Sequence, residues 1–245
     1  MAFSKIKYLI KKRLFNHHFS MLESSVIEIN NVEELKKIFG WKNAPILNDS
    51  ILNEFDYLED VNERRIRDAE SIAVVMANSN PNIALEIGTS TGHTTALMAT
   101  NAPQATIHTM NIPPEEILSG EGGKYTTIAL EREKVGIYFR EKNIKNIVQI
   151  LSNSAKWEPN IGNIDVAFID GSHDTDFVYN DTLKILSSMK SGSFILWHDF
   201  NLELTKKHSW IHTVCAGVEK LYADGKLNGR IYHIRDSWVG IYRVN

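Results

Sequence analysis

The sequence predicts an α/β fold built on a doubly wound, largely parallel sheet. Short apolar runs alternate with segments of helical spacing from residue 61 onward, which is typical of a sheet with helices on both faces. Polar residues follow the ends of successive apolar runs, where doubly wound sheets bind ligands. The first apolar run also ends in a loop with two glycines, Gly88 and Gly92.

That loop joins a predicted strand to a predicted helix over residues 82–100. Ile83 to Ile87 suit a strand buried on both faces. Gly88 and Gly92 lack a Cβ where the chain must turn and where a ligand must approach the backbone. The helix after Gly92 begins with free N–H groups, which attract anions. The spacing lacks the Gly-Lys-Ser/Thr of a phosphate loop and the middle glycine of the dinucleotide fingerprint.

Upstream of this unit, we predict a helical extension over residues 1–52, followed by one α/β domain over 53–245. Residues 1–18 are basic and amphipathic. They predict either peripheral contact with an anionic membrane or a protein partner, or a terminal packing helix. Residues 31–40 predict a short helix that ends at Gly40.

The composition excludes some classes of function. The formal net charge is −3, so no electrostatic field favours nucleic acid. The single cysteine, Cys215, lies in a predicted helix and is expected to be a buried thiol rather than a nucleophile. With one cysteine, no long apolar span and no signal-peptide core, we expect a cytoplasmic location.

The remaining elements follow from hydrophobic periodicity and turn signals. The predicted set is a helix over 61–77, strands over 105–110, 146–151, 164–169 and 193–197, helices over 129–143, 177–190 and 211–224, and a terminal hairpin around Asp236. The glycine-rich stretch 115–127 suits either a lid or an ordinary surface loop.

Polar residues that could bind a ligand follow the ends of four of these strands. Asn111 follows the second strand, and Ser152 to Ala155 follow the third. Asp170 to Asp174 follow the fourth strand, and His198 to Asn201 follow the fifth. Because parallel strands end at one edge of a sheet, these side chains should line one site.

Taken together, the Glu-x-Gly-x-x-x-Gly loop, FIDGSHD after the fourth strand and WHDF at the end of the fifth resemble class I S-adenosylmethionine-dependent methyltransferases over residues 59–244. More narrowly, the chain resembles methyltransferase domain family 24, which is related to catechol-type O-methyltransferases. The resemblance implies a Rossmann-like, seven-stranded sheet of order 3-2-1-4-5-7-6 with strand 7 antiparallel.

The resemblance also implies the residues that bind S-adenosylmethionine. The set is Glu86, Gly88, Thr89, Ser90, Gly92, His93, Asn111, Ser154, Ala155 and Asp170. The glycines would lie against the methionine part, with its carboxylate near His93, and Glu86 would balance its ammonium. Ser154 and Ala155 would hold the adenine. The family has an acidic residue for the ribose hydroxyls where this chain has Asn111, and one accepting oxygen weakens that contact by about 1 kcal/mol.

Two mechanisms remain open for activating the methyl acceptor. In catechol-type relatives a divalent ion binds the substrate oxygens, which implies a Mg²⁺ or Mn²⁺ site at Asp170, Asp199 and Asn201. Without a metal, His173 or His198 would act as general base. Asp170 is expected to be functional in either case, because a carboxylate at the end of a buried strand is otherwise costly.

The leading hypothesis is therefore O-methylation of a small molecule, such as a sugar or a secondary metabolite, with N-methylation as a close variant. Two alternatives come from other classes. One is a catalytically silent S-adenosylmethionine-binding partner protein, which Asn111 favours. The other is a nicotinamide-dependent oxidoreductase, which the missing middle glycine disfavours. A homo-oligomer is compatible with either.

Overall fold

A computed structural model of the chain describes residues 19–47, 59–126 and 129–245, with the side chains of the third helix described from Arg64 onward. These residues form eight strands and eight helices. The strands are β1 (Val26–Ile29), β2 (Ile83–Ile87), β3 (Thr106–Asn111), β4 (Ile147–Leu151), β5 (Ile164–Ile169), β6 (Met189–Trp197), β7 (Ile231–Ile234) and β8 (Gly240–Arg243). The helices are α1 (Ser20–Ser25), α2 (Val32–Phe39), α3 (Glu59–Ser79), α4 (His93–Asn101), α5 (Pro114–Leu118), α6 (Ile137–Glu141), α7 (Thr175–Leu186) and α8 (Ser209–Ala223).

All eight strands belong to one sheet with the order β1-β7-β8-β6-β5-β2-β3-β4. Only β8 runs antiparallel to its neighbours, β6 and β7. The part β4-β3-β2-β5-β6-β8-β7 corresponds to the predicted order 3-2-1-4-5-7-6, so the predicted topology is confirmed. The sheet has one strand more than predicted, because β1 pairs in parallel with β7.

The extra strand lies within the segment that we predicted to be a helical extension. β1 has four residues and only Ile29 is buried, so alternation gave no signal. Its strand conformation depends on pairing with β7, more than 200 residues away in the chain. The predicted boundary between residues 52 and 53 and the basic segment 1–18 lie outside the described residues.

Helices cover both faces of the sheet, as the apolar strands predict. Leu97 of α4 and Val74 of α3 pack on one face, whereas Val218 of α8 packs on the other. Successive residues of β2 alternate between these two clusters, and Ala84 and Leu85 are both fully buried. The sheet is therefore the middle layer of three, and its carboxyl edge is left for ligands.

Some element boundaries differ from those predicted. The helix predicted over 129–143 is reduced to α6 (Ile137–Glu141), since Gly136 precedes it in the left-handed conformation with φ of 71°. The strand predicted from Ser193 already starts at Met189. Within the described residues, no helix is long and apolar enough to cross a membrane.

Candidate active site

The carboxyl ends of four neighbouring parallel strands lie side by side in the centre of the sheet. Ile87 of β2 pairs with Met110 of β3 and with Ile169 of β5, and Ile169 pairs in turn with Trp197 of β6. The loops that follow these strands therefore start at the same level. The predicted site residues follow these strand ends, so the register of the sheet gathers them at one edge.

The glycine loop after β2 bends tightly over this edge. The N–H groups of Gly88 and Thr89 both donate to the Met110 carbonyl, at 2.8 and 3.1 Å. Gly88 has φ of 108° and Gly92 has φ of 92°, conformations that favour glycine. A Cβ on Gly88 would lie 2.0 Å from the Asp170 carbonyl oxygen. The loop thus needs a glycine at this position both for its backbone conformation and for the approach of Asp170.

Two cavities share this bend. The larger, about 250 Å³, lies between the glycine loop and helix α3. The smaller, about 160 Å³, lies towards β3 and β4. Gly88, Ser90 and Asp170 line both cavities, so the two spaces meet over the end of β2. An elongated ligand can therefore lie across the bend, with one end in each cavity.

The smaller cavity combines apolar walls with polar groups. Met110, Ile112 and Phe177 supply apolar surface, whereas Asn111 and Ser154 supply polar atoms. This composition suits a flat heterocycle joined to a hydroxylated ring. Ala155, predicted with Ser154, does not line this cavity; its N–H donates to Asn153 Oδ1 at 3.0 Å.

Asn111 is already engaged within the loop. Its Oδ1 accepts from the Ser90 N–H at 3.0 Å, and its Nδ2 donates to the Ile112 carbonyl at 2.8 Å. The amide therefore ties the glycine loop to the end of β3. Its oxygen keeps one lone pair for a ligand hydroxyl.

The larger cavity holds the rest of the predicted loop and several charged side chains. Thr89, Ser90, Gly92 and His93 line it from the loop and from the start of α4, which has nine residues. Arg64 and Arg65 of α3 line the opposite wall. The chain therefore places guanidinium groups and helix N–H groups around one space, which suits a carboxylate.

Glu86 does not reach either cavity, which corrects the expectation that it contacts the cofactor ammonium. Its side chain is fully buried beneath the loop and accepts hydrogen bonds from Thr95 and Thr109. Burial raises the pKa of Glu86 to about 8, which favours the neutral form of this carboxyl group at pH 7. Glu86 therefore holds β2, β3 and α4 together below the bend.

Four side chains from the ends of β5 and β6 converge beside the larger cavity. Ligand atoms of Asp170, His173, His198 and Asp199 all lie within 4.8 Å of one another. His173 Nε2 lies 2.9 Å from Asp199 Oδ2, and His198 Nδ1 lies 3.1 Å from Asp170 Oδ1. Asp199 has φ of 52°, a strained conformation for a residue other than glycine, which its surroundings must hold in place. We call these four residues the Asp–His cluster.

Electrostatics within the Asp–His cluster favours the charged form of every member. Burial disfavours charge on both rings, but the two carboxylates outweigh it and raise the pKa of His173 to about 10 and that of His198 well above its usual range. The rings in turn hold the pKa of Asp170 and of Asp199 below the usual range despite burial. At pH 7 both rings therefore favour the doubly protonated imidazolium form. Either ring can act as a base only after it has lost one of its two protons.

Asn201, the third predicted metal ligand, is used elsewhere. Its Nδ2 donates to the Ser237 carbonyl at 3.3 Å, and its Oδ1 accepts from the Leu204 N–H at 3.1 Å. Asn201 therefore holds the turn after β6. Asp170 and Asp199 converge with two imidazoles, and the metal-ligand set expected from the sequence stays a prediction.

Comparisons with known proteins agree with this geometry. Residues 85–200 match the family model of a methyltransferase domain, family 24, from β2 to the end of β6. No curated protein matches the sequence. Residues 85–200 therefore carry the methyltransferase domain that the resemblance predicted.

Solved structures show the same fold. The O-methyltransferase NovP is 14% identical over 75% of this chain and 80% of its own, with a TM-score of 0.56. The Podospora anserina methyltransferase PaMTH1, with bound S-adenosylhomocysteine, is 15% identical over 89% and 98%, with a TM-score of 0.54. The O-methyltransferase TomG from Streptomyces achromogenes, in complex with S-adenosylmethionine, is 12% identical over 86% and 96%, with a TM-score of 0.53.

Asp68, a buried residue on helix α3, also borders the site, although its sequence pattern does not indicate this. Asp68 Oδ1 accepts from the Trp238 N–H at 2.6 Å, and Oδ2 accepts from Arg64 at 2.7 Å. Asp68 Oδ2 also lies 3.4 Å from His198 Nε2. Only the packing of α3 over β6 brings Asp68 to the site.

Two further aspartates, Asp174 and Asp181, hold segments next to the smaller cavity in place. Asp174 precedes α7 but makes no side-chain cap; its Oδ2 accepts from the N–H groups of Lys124 and Tyr125 at 2.5 and 3.1 Å. It thereby fixes part of the stretch 115–127, for which the sequence left a lid and an ordinary surface loop open. Asp181 is buried and accepts from Ser154 Oγ at 3.1 Å, so it supports the smaller cavity from behind.

We predict that Gly88→Ala destroys the bend. The added Cβ would lie 2.0 Å from the Asp170 carbonyl oxygen and 2.5 Å from its carbon, so β2 and β5 must separate. The free energy of unfolding should fall by roughly 3 kcal/mol or more, and S-adenosylhomocysteine binding should be lost. Urea denaturation and calorimetric titration measure both.

The matched control is Gly120→Ala. Gly120 also has positive φ, 85°, but no atom lies within 4 Å of an added Cβ. This variant carries only the backbone cost of about 1 kcal/mol. Equal losses in the two variants would show that the close approach to Asp170 is not what requires glycine at position 88.

We predict that Asp181→Asn stabilises the protein more at pH 8 than at pH 5. Burial raises the pKa of Asp181 to about 7, against about 4 in an unfolded chain. The folded state therefore binds the proton more tightly, and wild-type stability falls as pH rises through this window. The variant should gain on the order of 2 kcal/mol relative to wild type between pH 5 and pH 8.

Urea denaturation at the two pH values tests this. Asp176→Asn, which replaces an exposed carboxylate on the same helix α7, is the control and should show no comparable change. A constant difference between Asp181→Asn and wild type across this range would contradict the prediction.

Proposed function

We propose that the protein transfers the methyl group of S-adenosylmethionine to an oxygen of a small molecule. The observation that carries the proposal is the pair of cavities that meet over Gly88, Ser90 and Asp170 in a class I methyltransferase domain. An S-adenosylmethionine molecule is elongated, with a nucleoside at one end and an amino acid at the other. The two cavities offer a different chemistry to each of these ends.

In this proposal the nucleoside occupies the smaller cavity. Phe177 and Ile112 provide apolar faces for the adenine, and Ser154 provides a polar contact at its edge. The remaining lone pair of Asn111 Oδ1 accepts from a ribose hydroxyl. A carboxylate at this position would offer more lone pairs, so binding to Asn111 is weaker than to an acidic residue.

The amino-acid end then lies in the larger cavity. The N–H groups at the start of α4 and the guanidinium groups of Arg64 and Arg65 face the same space and suit the cofactor carboxylate. Arg64 is held in place, since it binds Asp68 and stacks over Trp238 at 4.1 Å. A cation already fixed in this way loses little freedom when the ligand arrives.

Asp170 lies where the two cavities meet. Its carboxylate is ionised, because His198 and His173 lower its pKa despite burial. It can therefore accept a hydrogen bond from an acceptor hydroxyl and orient that oxygen. The cofactor supplies an electrophilic methyl group, and positioning of the acceptor is the main task left to the protein.

Oxygen rather than nitrogen methylation is favoured by the structural neighbours, since NovP and TomG are named O-methyltransferases. The larger cavity is also polar, lined by Asp68, His93 and His198. Such a wall suits a hydroxylated acceptor, for example a sugar or a polar secondary metabolite.

Calorimetric titration with S-adenosylmethionine, S-adenosylhomocysteine and NAD tests the proposal. We expect one site per chain for the first two ligands and at least about 100-fold weaker binding of NAD, because the loop lacks the dinucleotide fingerprint. Tight binding of NAD alone would replace the proposal with the oxidoreductase alternative. Formation of S-adenosylhomocysteine with a panel of hydroxylated acceptors then separates an enzyme from a silent binding protein.

We predict that Asn111→Asp binds S-adenosylhomocysteine about fivefold more tightly. One carboxylate oxygen can keep the Ser90 N–H. The other gives up the bond that Nδ2 donates to the Ile112 carbonyl and accepts from a second ribose hydroxyl, and because that new bond is charge-assisted the net gain should be about 1 kcal/mol. Asn153→Asp places the same charge elsewhere in the smaller cavity and serves as the control. Equal tightening in both variants, or weaker binding by Asn111→Asp, would contradict the assignment of position 111 to the ribose.

A further inference from the structure

The basic charge of the chain is concentrated in its first 18 residues. Five of the 27 lysines and arginines lie there and none of the 30 acidic residues does, so this segment carries +5 and the remaining residues together carry −8. Any attraction of the protein to an anionic surface must therefore come mainly from residues 1–18. The five basic side chains are Lys5, Lys7, Lys11, Lys12 and Arg13.

Apolar residues in the same segment recur at helical spacing, with lysines between them. At intervals of three or four they are Phe3, Ile6, Ile10 and Leu14. A partner that attracts only by charge, such as an acidic protein, makes no use of this apolar stripe. Basic residues combined with such a stripe are typical of segments that lie in the interface of an anionic bilayer.

The structure shows where this segment joins the domain. Phe19, the first residue that the structure describes, is buried, and its ring packs edge-on against His212 of α8 with 5.2 Å between the ring centroids. Further along the chain, the N–H groups of Met21 and Leu22 donate to the Glu219 carboxylate at 3.0 and 2.9 Å. From α1 back to Phe19 the chain therefore follows α8 for about two helical turns, towards the start of that helix.

The start of α8 lies at the carboxyl edge of the sheet, because this helix returns the chain from the end of β6 to the start of β7. Thr175, which follows the β5 members of the Asp–His cluster, donates from Oγ1 to the Thr213 carbonyl in the first turns of α8 at 3.1 Å. Residues 1–18 therefore join the domain at the edge that carries both cavities.

The described surface at this edge has a similar character. Lys206 and Lys207 are exposed in the loop between β6 and α8, in which Glu203 is the exposed acidic residue. Met21 on α1 is a large apolar side chain that is 44% exposed. Basic and apolar side chains thus continue from residues 1–18 onto the domain.

We infer that residues 1–18 bind the surface of an anionic lipid bilayer and hold the carboxyl edge of the sheet towards it. The opening of the two cavities then faces the bilayer. The consequence for the acceptor rests on the proposed function: a hydroxylated molecule carried at the bilayer surface reaches Asp170 without passing through bulk solvent.

Vesicle sedimentation with the full chain tests the binding. The vesicles contain phosphatidylcholine alone or together with about one third phosphatidylglycerol. We expect at least about 100-fold tighter partition into the anionic vesicles, since each lysine or arginine near such a surface contributes about fivefold. Equal partition into both kinds of vesicle, or binding to neither, would overturn the inference.

Charge reversal locates the basic residues that bind. The variant combines Lys5→Glu, Lys7→Glu, Lys11→Glu and Lys12→Glu and should weaken partition by at least about 100-fold. The matched control makes the same change at four exposed lysines near the amino edge of the sheet, Lys142, Lys145, Lys190 and Lys226. The control should lose much less, although its net charge changes equally. Equal losses in the two variants would contradict binding through residues 1–18.

A second variant tests the apolar stripe. Ile6→Ser combined with Ile10→Ser leaves the charge unchanged and should weaken partition by at least about tenfold, because less apolar surface enters the bilayer. Full partition of this variant would show that only charge is recognised, and the interfacial assignment would fall.

A fluorescent label reports which edge faces the bilayer. Glu203→Cys places a thiol at the carboxyl edge and Glu141→Cys places one near the amino edge; both positions are exposed, whereas Cys215 is fully buried. With anionic vesicles, the emission of an environment-sensitive dye should shift to the blue at position 203 and stay unchanged at position 141. Equal shifts, or a shift at position 141 alone, would overturn the inferred orientation.

Failure of this inference can be distinguished from failure of the proposed function, since titration with S-adenosylhomocysteine needs no vesicles. Binding of S-adenosylhomocysteine without a preference for anionic vesicles would overturn the membrane contact and keep the methyltransferase. Binding to anionic vesicles with the expected variant effects, but without S-adenosylhomocysteine binding, would support the membrane contact and remove the methyltransferase proposal.

Discussion

The close approach of Gly88 to Asp170 is the contact on which the site depends. The Asp170 N–H donates to the Ile87 carbonyl at 2.8 Å, so the last pairing of β2 with β5 extends into the loops. Gly88 then turns away directly beneath the Asp170 carbonyl oxygen. Because nothing larger than a hydrogen fits between them, the two loops share one wall, and Asp170 borders both cavities.

A buried carboxyl group lies below this contact, whereas charged groups surround it above. Glu86 Oε2 accepts from two threonines, and burial raises the pKa of Glu86 to about 8, which favours its neutral form at pH 7. At the carboxyl edge of the sheet, Asp170 and Asp199 are ionised because two imidazolium rings face them. Buried carboxyl groups at neighbouring strand ends thus favour different charge states, since only Asp170 and Asp199 have cationic partners.

The sequence predicted the sheet well because the evidence for it is local. Apolar runs such as residues 164–169 fixed strands, and the order of the strands followed from the resemblance. Groups from distant segments were not predictable in the same way. Asp68 reaches His198 only because α3 packs across the end of β6, and nothing near Asp68 in the sequence indicates it. The strand β1 was missed for the same reason, since its partner β7 is about 200 residues away.

The sequence predicted which residues stand at the strand ends better than it predicted what each of them does. Asp170, His173, His198 and Asp199 were all candidates from their position, yet metal ligand and general base were treated as alternatives. The structure places all four in one cluster, where the alternatives become linked. A proton and a divalent ion compete for the same ring nitrogens, so an ion that binds there releases the protons that the carboxylates otherwise hold on the rings.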